Sequence, residues 1–398
     1  MKTRLMYIGT LPCEQTGGGP LQMYRHFIES QDFEFEAIIE PYAETIEYIK
    51  TYYQPFDNLL ERISKTRLYP DFVALNVLMA EHRASSSLLD KVLTFNPKAI
   101  VTIAYGSYGF VASSVARQLK LPLITFFHDW WPDLTPCRSW RKQLLDYRFR
   151  RLYQESNLAL CVCDSMRNEL GFHRNSEVLY PIPSFHSPEV SDPKGTLQKK
   201  PLRVVYLGLL ANDYGQVVQS LVKFLQDHPQ DWLDLRLYGL ATDWSDNILE
   251  FAQKNSLYRG RAKYGPEGQT VLADADAYLV VTSFNKLLKR RVQTSFPSKI
   301  LEYSAYGKPI IAWGPKDCSA VNFLQEHSAG SIVTSPDPAD LIKCLSQLND
   351  DIDYQIYLSQ AAKELSKSLF NPLVIHNQLL KSIDQLVTFT AQTEKCQL

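Results

Sequence analysis

Residues Thr294 to Trp313 read TSFPSKILEYSAYGKPIIAW. Pro297 has no backbone N–H to lose and suits a helix start. Ser298 is of the type that caps a helix. Lys299 to Tyr306 then predicts a compact helix, Gly307 its carboxyl-terminal stop, and Pro309 a bar to continuation. The apolar run PIIAW follows at once as a buried strand. A loop, a short helix, a tight turn and a buried strand are thus packed into twenty residues, the local form of an α/β chain.

The same alternation extends outward on both sides. Strand signals lie at Leu202–Gly208, Leu233–Gly239, Ala277–Ser283, Pro309–Trp313 and Gly330–Thr334, with helical patterns at Val217–Gln226 and Ser298–Tyr306. Upstream, strand signals lie at Leu5–Gly9, Phe35–Glu40, Ala99–Ala104, Leu123–His128, Leu158–Cys163 and Glu177–Pro181. Gly109–Lys120 and Trp140–Tyr153 carry helical patterns. Strands alternating with helices imply parallel sheets covered on both faces. Between the two series, Pro183–Pro201 is rich in proline and small polar residues and has no period, so it reads as a linker. The expected architecture is α/β, with two Rossmann-like domains facing across a ligand-binding cleft. The first domain is expected over 1–185, a linker over 186–201 and the second domain over 202–371. A helical tail over 372–398 could pack back on the first domain. Ligands in such folds bind beyond the carboxyl ends of the strands.

Composition narrows the function classes. Lys+Arg 42 against Asp+Glu 43 leaves a net charge of −1 over 398 residues, which offers nucleic acid no basic field. Seven cysteines without paired C-x-x-C motifs read as free thiols, not as a disulfide or zinc framework. No apolar stretch approaches the ~20 residues of a membrane span. The amino terminus reads as a first strand, and the expected location is cytoplasmic. No G-x-G-x-x-G followed by an acidic residue opens either half, which argues against a nicotinamide oxidoreductase.

Chemistry concentrates in the quoted stretch. A helix start presents N–H groups and a positive dipole end to a diphosphate, and Ser298 and Lys299 add a hydroxyl and a charge. Glu302 lies one turn further on the same side, about 6 Å away, where a carboxylate can accept hydrogen bonds from ribose hydroxyls. The same residues also describe an ordinary capped helix with a solvated glutamate, and the pattern alone leaves both readings open.

The motif P-S-K-x-x-E-Y-x-A-x-G-K-P-I-I resembles the donor-binding element of GT-B glycosyltransferases. The likeness is to the large retaining family of bacterial polysaccharide mannosyl-, glucosyl- and rhamnosyltransferases and sucrose synthases. The resemblance implies a nucleotide-sugar donor with Glu302 on the ribose, and Pro297, Ser298 and Lys299 at the diphosphate. Three further stretches match in order. Gly17-Gly18-Gly19-Pro20 corresponds to the family's glycine loop, where backbone approaches the donor phosphates and acceptor. His128-Asp129 corresponds to its catalytic His-Asp step beside the donor sugar. Ala273–Ser283 resembles its helix-Asp-strand-Ser step, in which Asp276 is structural. The implied reaction is transfer to a hydroxyl acceptor with retention, without cofactor or metal. No aspartate pair stands in a suitable loop, since Asp274 and Asp276 precede an apolar strand.

The sequence also departs from the family. Thr294 stands where many members carry a first glutamate, and Leu209 and Tyr214 stand where they carry an Arg and Lys on the diphosphate. The nearest substitutes are Lys299 and, behind it, Arg290 or Arg291 of the run Lys286–Arg291. Those departures keep a silent nucleotide- or partner-binding homologue in play, and the shared cleft keeps a nucleotide-sugar epimerase in play. On the acceptor side, Arg138–Arg151 (RSWRKQLLDYRFRR) mixes basic and aromatic residues and offers a peripheral contact with an anionic membrane surface or a lipid phosphate. A wet helix face accounts for the same residues.

Overall fold

The computed structural model describes residues 2–10, 13, 18–40, 49–53, 62–63, 65–135, 137, 139–185, 201–262 and 265–396. Gly17, Arg138 and the linker expected over 186–201, apart from Pro201, lie outside the described residues. The chain divides into two compact units. One comprises Met1–Tyr180 with Ile375–Leu398, the other Pro181–Val374.

The first unit is built on a seven-stranded parallel sheet. Its strands are β1 (Thr3–Gly9), β2 (Phe33–Ile39), β3 (Thr51–Tyr53), β4 (Ala99–Ile103), β5 (Leu123–Phe127), β6 (Leu158–Cys161) and β7 (Ser176–Val178), in the order β3-β2-β1-β4-β5-β6-β7. The central strands β4 (AIVTI) and β5 (LITFF) are buried at every position. Parallel strands covered on both faces need such unbroken apolar runs. The short strand β3 and the helices Tyr69–Met79 and Ser86–Phe95 carry no strong sequence signal and become visible only in the structure.

The second unit holds β8 (Leu202–Leu207), β9 (Leu233–Tyr238), β10 (Ala277–Val281), β11 (Ile310–Trp313) and β12 (Ser331–Val333), parallel throughout, in the order β12-β11-β10-β8-β9. The helix Asn212–Asp227 buries Val218, Leu221, Val222 and Leu225. This i, i+3, i+4, i+7 stripe covers one face of the sheet. Asp276 ties two strands together at the other end. Its carboxylate accepts from the backbone N–H of Arg203 at 3.0 Å and from the Arg203 Nε at 3.2 Å.

Strand order fixes where each unit can hold a ligand. In the first sheet the order in which strands are added reverses between neighbours β1 and β4, in the second between β8 and β10. Beyond the carboxyl ends of such a pair, loops diverge and leave a crevice. In the first unit those loops are tied by Thr10, whose hydroxyl donates to the Tyr105 carbonyl at 3.2 Å. In the second they carry Gly208 and Thr282–Asn285.

The last helix, Pro372–Cys396, is held by residues of the first unit. Gln378 donates to the Val178 carbonyl at 2.9 Å, and Ser382 donates to Glu177 at 2.8 Å. His376 lies 2.8 Å from the Asp32 carboxylate.

Candidate functional site

In the second unit the predicted helix is shorter than expected, Lys299–Ser304. Gly307 ends the turn at φ +56, a left-handed conformation that glycine adopts without strain. Ser298 occupies the cap position but has α-type backbone angles and makes no side-chain cap bond. The amides of Ile300, Leu301 and Glu302 donate to the Pro297 and Ser298 carbonyls, so they are committed to the turn. These three amides are thereby removed from the expected row. What the turn offers a ligand is mainly the Lys299 charge.

Lys299 is turned onto the end of β8. Its Nζ lies 4.4 Å from the centroid of the Tyr206 ring and 3.3 Å from the Tyr206 hydroxyl. That hydroxyl donates to the Leu209 carbonyl at 2.7 Å, which holds the ring in place. A Cβ on Gly208 would stand 1.9 Å from Nζ, so only glycine leaves room for the ammonium there. Gly239 likewise faces the Gly208 carbonyl, 1.8 Å from where its Cβ would be. Tyr303, on the same short helix as Lys299, has its hydroxyl 3.0 Å from the Leu207 amide, which donates to it. Burial pushes the Lys299 ammonium down to about 8. A buried cation of this kind is short of partners for its charge, and a phosphate oxygen would supply one.

A second cation approaches from the Lys289–Thr294 helix. The Arg291 guanidinium lies over the Tyr214 ring at 5.7 Å, and its buried Nε has no hydrogen-bond partner. Asn285 donates to Asp213 at 2.9 Å, tying this segment to the start of the Asn212–Asp227 helix. Lys289 instead pairs with Asp317 at 2.8 Å. Arg290 receives the Thr294 hydroxyl on its backbone carbonyl at 2.8 Å. Thr294, at the position of the family's first glutamate, is therefore buried and used within its own helix. Glu302 is half-buried on the Lys299 helix, and its charge helps burial raise the Tyr306 phenol to about 12.

In the first unit, Gly18 opens the helix Gly18–Tyr24 at φ +60, followed by Gly19. His128 and Asp129 follow directly after β5. The His128 Nδ1 is buried without a partner, its ring packs on Phe126 at 5.8 Å, and burial pulls the imidazole down to about 4. It is neutral near pH 7. The basic run on the Ser139–Glu155 helix is largely spent inside this unit. Arg141 pairs with Asp71, Arg148 with Glu81, Arg150 with Asp146 and Glu169, and Arg151 with Glu155. Trp130 and Trp131 are core residues, while Trp140 and Tyr147 are exposed. Among the described residues no group of three or more His, Cys, Asp or Glu could hold a metal ion, and no helix is long and apolar enough to cross a membrane.

No family model matches the chain, and no curated protein matches it. Solved structures do. The crystal structure of Anabaena HepE in complex with UDP aligns over 97% of this chain and 100% of that one, with a TM-score of 0.65 and 14% identity. The chain has the GT-B fold. A glycosyltransferase from Rickettsia africae aligns at TM-score 0.65 and 12% identity, covering 97% of this chain and 99% of that one. A trehalose 6-phosphate synthase from Burkholderia multivorans aligns at TM-score 0.64 and 11% identity, covering 100% and 99%. At such identities the likeness establishes the GT-B fold. Of the residues singled out in the sequence, Lys299 is brought to the carboxyl end of β8, Arg291 to Tyr214 on the helix that follows it, and Glu302 lies on the Lys299 helix. Tyr206 carried no sequence signal, because nothing in its strand distinguishes it from a core tyrosine.

Proposed function

We propose that the chain is a glycosyltransferase that moves a sugar from a nucleoside-diphosphate sugar to a hydroxyl acceptor. The observation that carries this reading is Lys299, a buried cation held under Gly208 by Tyr206 at the switch point of the second sheet. Bond cleavage at the anomeric carbon builds negative charge on the departing diphosphate. Cations already in place stabilise that charge without reorganising. Lys299 supplies one and Arg291 the other, replacing the cations absent at positions 209 and 214. Glu302 accepts the ribose hydroxyls. In the first unit the neutral His128 imidazole hydrogen-bonds a hydroxyl of the donor sugar, with Asp129 beside it, and Gly18 and Gly19 let backbone approach the ligand.

Retention at the anomeric carbon and independence of metal belong to the same proposal, through the family resemblance and the cationic site. HepE was crystallised in complex with UDP and with UDP-glucose, so uridine donors are the first to try. The acceptor is assigned as a hydroxyl compound. The ion pairs along Ser139–Glu155 favour a helix held to its own unit over one offered to a membrane, which leaves Trp140 and Tyr147 as the residues for any peripheral contact.

The test is a thermal-shift and calorimetric screen against UDP, GDP, dTDP, ADP and CMP, with and without EDTA. A ligand at 100 times its Kd stabilises the fold by about 2.7 kcal/mol. The reading expects one nucleoside diphosphate to stand out, insensitive to EDTA, and expects Lys299→Met and Glu302→Gln to reduce the shift. No shift with any of them, or shifts unchanged in both variants, overturns it and favours a silent homologue.

A further inference from the structure

Two segments far apart in sequence meet behind His128, one with His26 and Asp32 and the other with His376. His26 lies in the π-helical turn Arg25–Glu29 that continues the glycine-loop helix, and such turns recur at functional sites. His376 comes from the last helix. Both are buried, their rings stack at 5.6 Å and 22°, and their Nδ1 atoms are 3.3 Å apart. The other nitrogen of His376 lies 2.8 Å from the Asp32 carboxylate.

This geometry dictates where the protons sit. A carboxylate only accepts, so His376 donates from Nε2 to Asp32. Neutral His376 then has a bare Nδ1. With His376 in that form, the short contact between the two Nδ1 atoms has His26 donating from its Nδ1, which leaves a lone pair on its own Nε2. A second proton on His376 would reverse the bond: its Nδ1–H would donate to a bare His26 Nδ1, and His26 would carry its own proton on Nε2. The groups that face His26 are His376 from the last helix, His128 from the segment after β5 and Arg25 from its own turn. Burial first, and then these neighbours, oppose its positive charge. Phe126 packs on both imidazoles, 6.3 Å from His26 and 5.8 Å from His128.

We propose that Asp32, His376 and His26 form a positioning relay, through which the carboxyl-terminal helix fixes one tautomer and one orientation of the imidazole behind Phe126 and His128. His376 and Asp32 are positioning residues, acting through His26. The consequence for a sugar at His128 rests on the glycosyltransferase reading, whereas the relay itself does not. It gives the final helix a part in the site. Docking of residues near the end of the chain sets the charge and packing beside an imidazole more than 200 residues earlier.

The test is long-range proton–nitrogen correlation spectroscopy on the full chain labelled with ¹⁵N-histidine, the signals assigned by single substitutions. The expected spectrum shows a single His26 tautomer, protonated on Nδ1 where His376 carries its proton on Nε2 alone. His376→Asn keeps an acceptor for His26 and leaves the His26 and His128 signals in place. His376→Ala moves both and shifts the His26 midpoint up toward the ordinary value of about 6.5. Asp32→Ala alters a half-exposed position and preserves the core, and it gives a mixture of His26 tautomers. A mixture of His26 tautomers in the parent, or a single unchanged His26 tautomer in Asp32→Ala, overturns the proposal. So does a His128 signal unmoved by His376→Ala in a folded protein. A parent with the relay tautomers in place that binds no nucleotide would count against the glycosyltransferase reading alone.

Discussion

Lys299 Nζ stands 4.4 Å above the ring of Tyr206 and 3.3 Å from its hydroxyl, an ammonium lodged on an aromatic face rather than beside a carboxylate. A ring face stabilises a cation by about 1–2 kcal/mol, less than a full counter-charge. The ammonium accordingly loses its proton at about 8. A bound diphosphate would restore a strong preference for the charged form.

Nucleoside-diphosphate binding is therefore expected to take up a proton at pH 8 to 9 and to weaken as pH rises above about 8. Titration calorimetry at one pH in two buffers of different ionisation heat measures the uptake. Lys299→Met should abolish the uptake and weaken binding by roughly 10–100-fold, the size of a lost charged hydrogen bond. The unbound fold behaves in the opposite sense to ligand binding. The unfolded chain holds the lysine proton up to about 10.5, so stability rises as pH goes from about 8 toward 10.5. Binding without proton uptake would remove Lys299 from the diphosphate.

Gly208→Ala provides an independent probe of the same contact. The added methyl would fall 1.9 Å from Nζ, at the end of a flexible side chain, while the backbone there is not forced. The side chain can swing away, so the melting temperature should change little while donor affinity falls nearly as far as in Lys299→Met. Equal affinity in Gly208→Ala and the parent would show that the position of Nζ under the glycine is irrelevant to binding.

The short helix, its glycine stop and the strands on either side were legible because each depends on local chemistry. The strand runs at β4, β5, β10 and β11 are continuous apolar blocks, and Gly307 adopts the positive φ expected of a helix stop. Cap chemistry was less legible. Ser298 is the right type, but the tight turn from Pro297 uses the amides it would have served. Partners distant in sequence were not legible at all. Tyr206 under Lys299 and His376 against His26 depend on topology, which brings together residues 93 and 350 positions apart. The partners of the basic run at 138–151 were hidden in the same way, because Asp71, Glu81 and Glu169 lie on other helices.

Arg290 and Arg291 were equivalent in the sequence and differ in the structure. The Arg291 guanidinium lies over Tyr214 with a buried, unpartnered Nε. Arg291→Ala should therefore weaken nucleoside-diphosphate binding more than Arg290→Ala, by roughly tenfold or more. Nucleoside alone should bind both variants and the parent alike, because it has no phosphate for either arginine. Fluorescence titration with a labelled nucleotide compares them directly, and a larger loss in Arg290→Ala would reverse the assignment.

His128 makes a prediction about stability in acid. Its imidazole is pulled from 6.5 to about 4 in the fold, chiefly by burial. Between those values the unfolded chain binds a proton that the folded chain does not. Stability is therefore undiminished above 6.5 and is lost as pH falls through the window, by on the order of 3 kcal/mol at its lower end. His26, also held neutral by burial, adds to the loss. The contribution of His128 is isolated by comparing urea unfolding of the parent and His128→Gln at pH 7 and pH 5. The variant has no group to titrate at that position, so its stability should fall by less than the parent's across the same interval. A parallel fall in both proteins would mean that the imidazole is solvated in the fold. The neutral hydrogen-bonding role assigned to it at the donor sugar would then lose its physical basis.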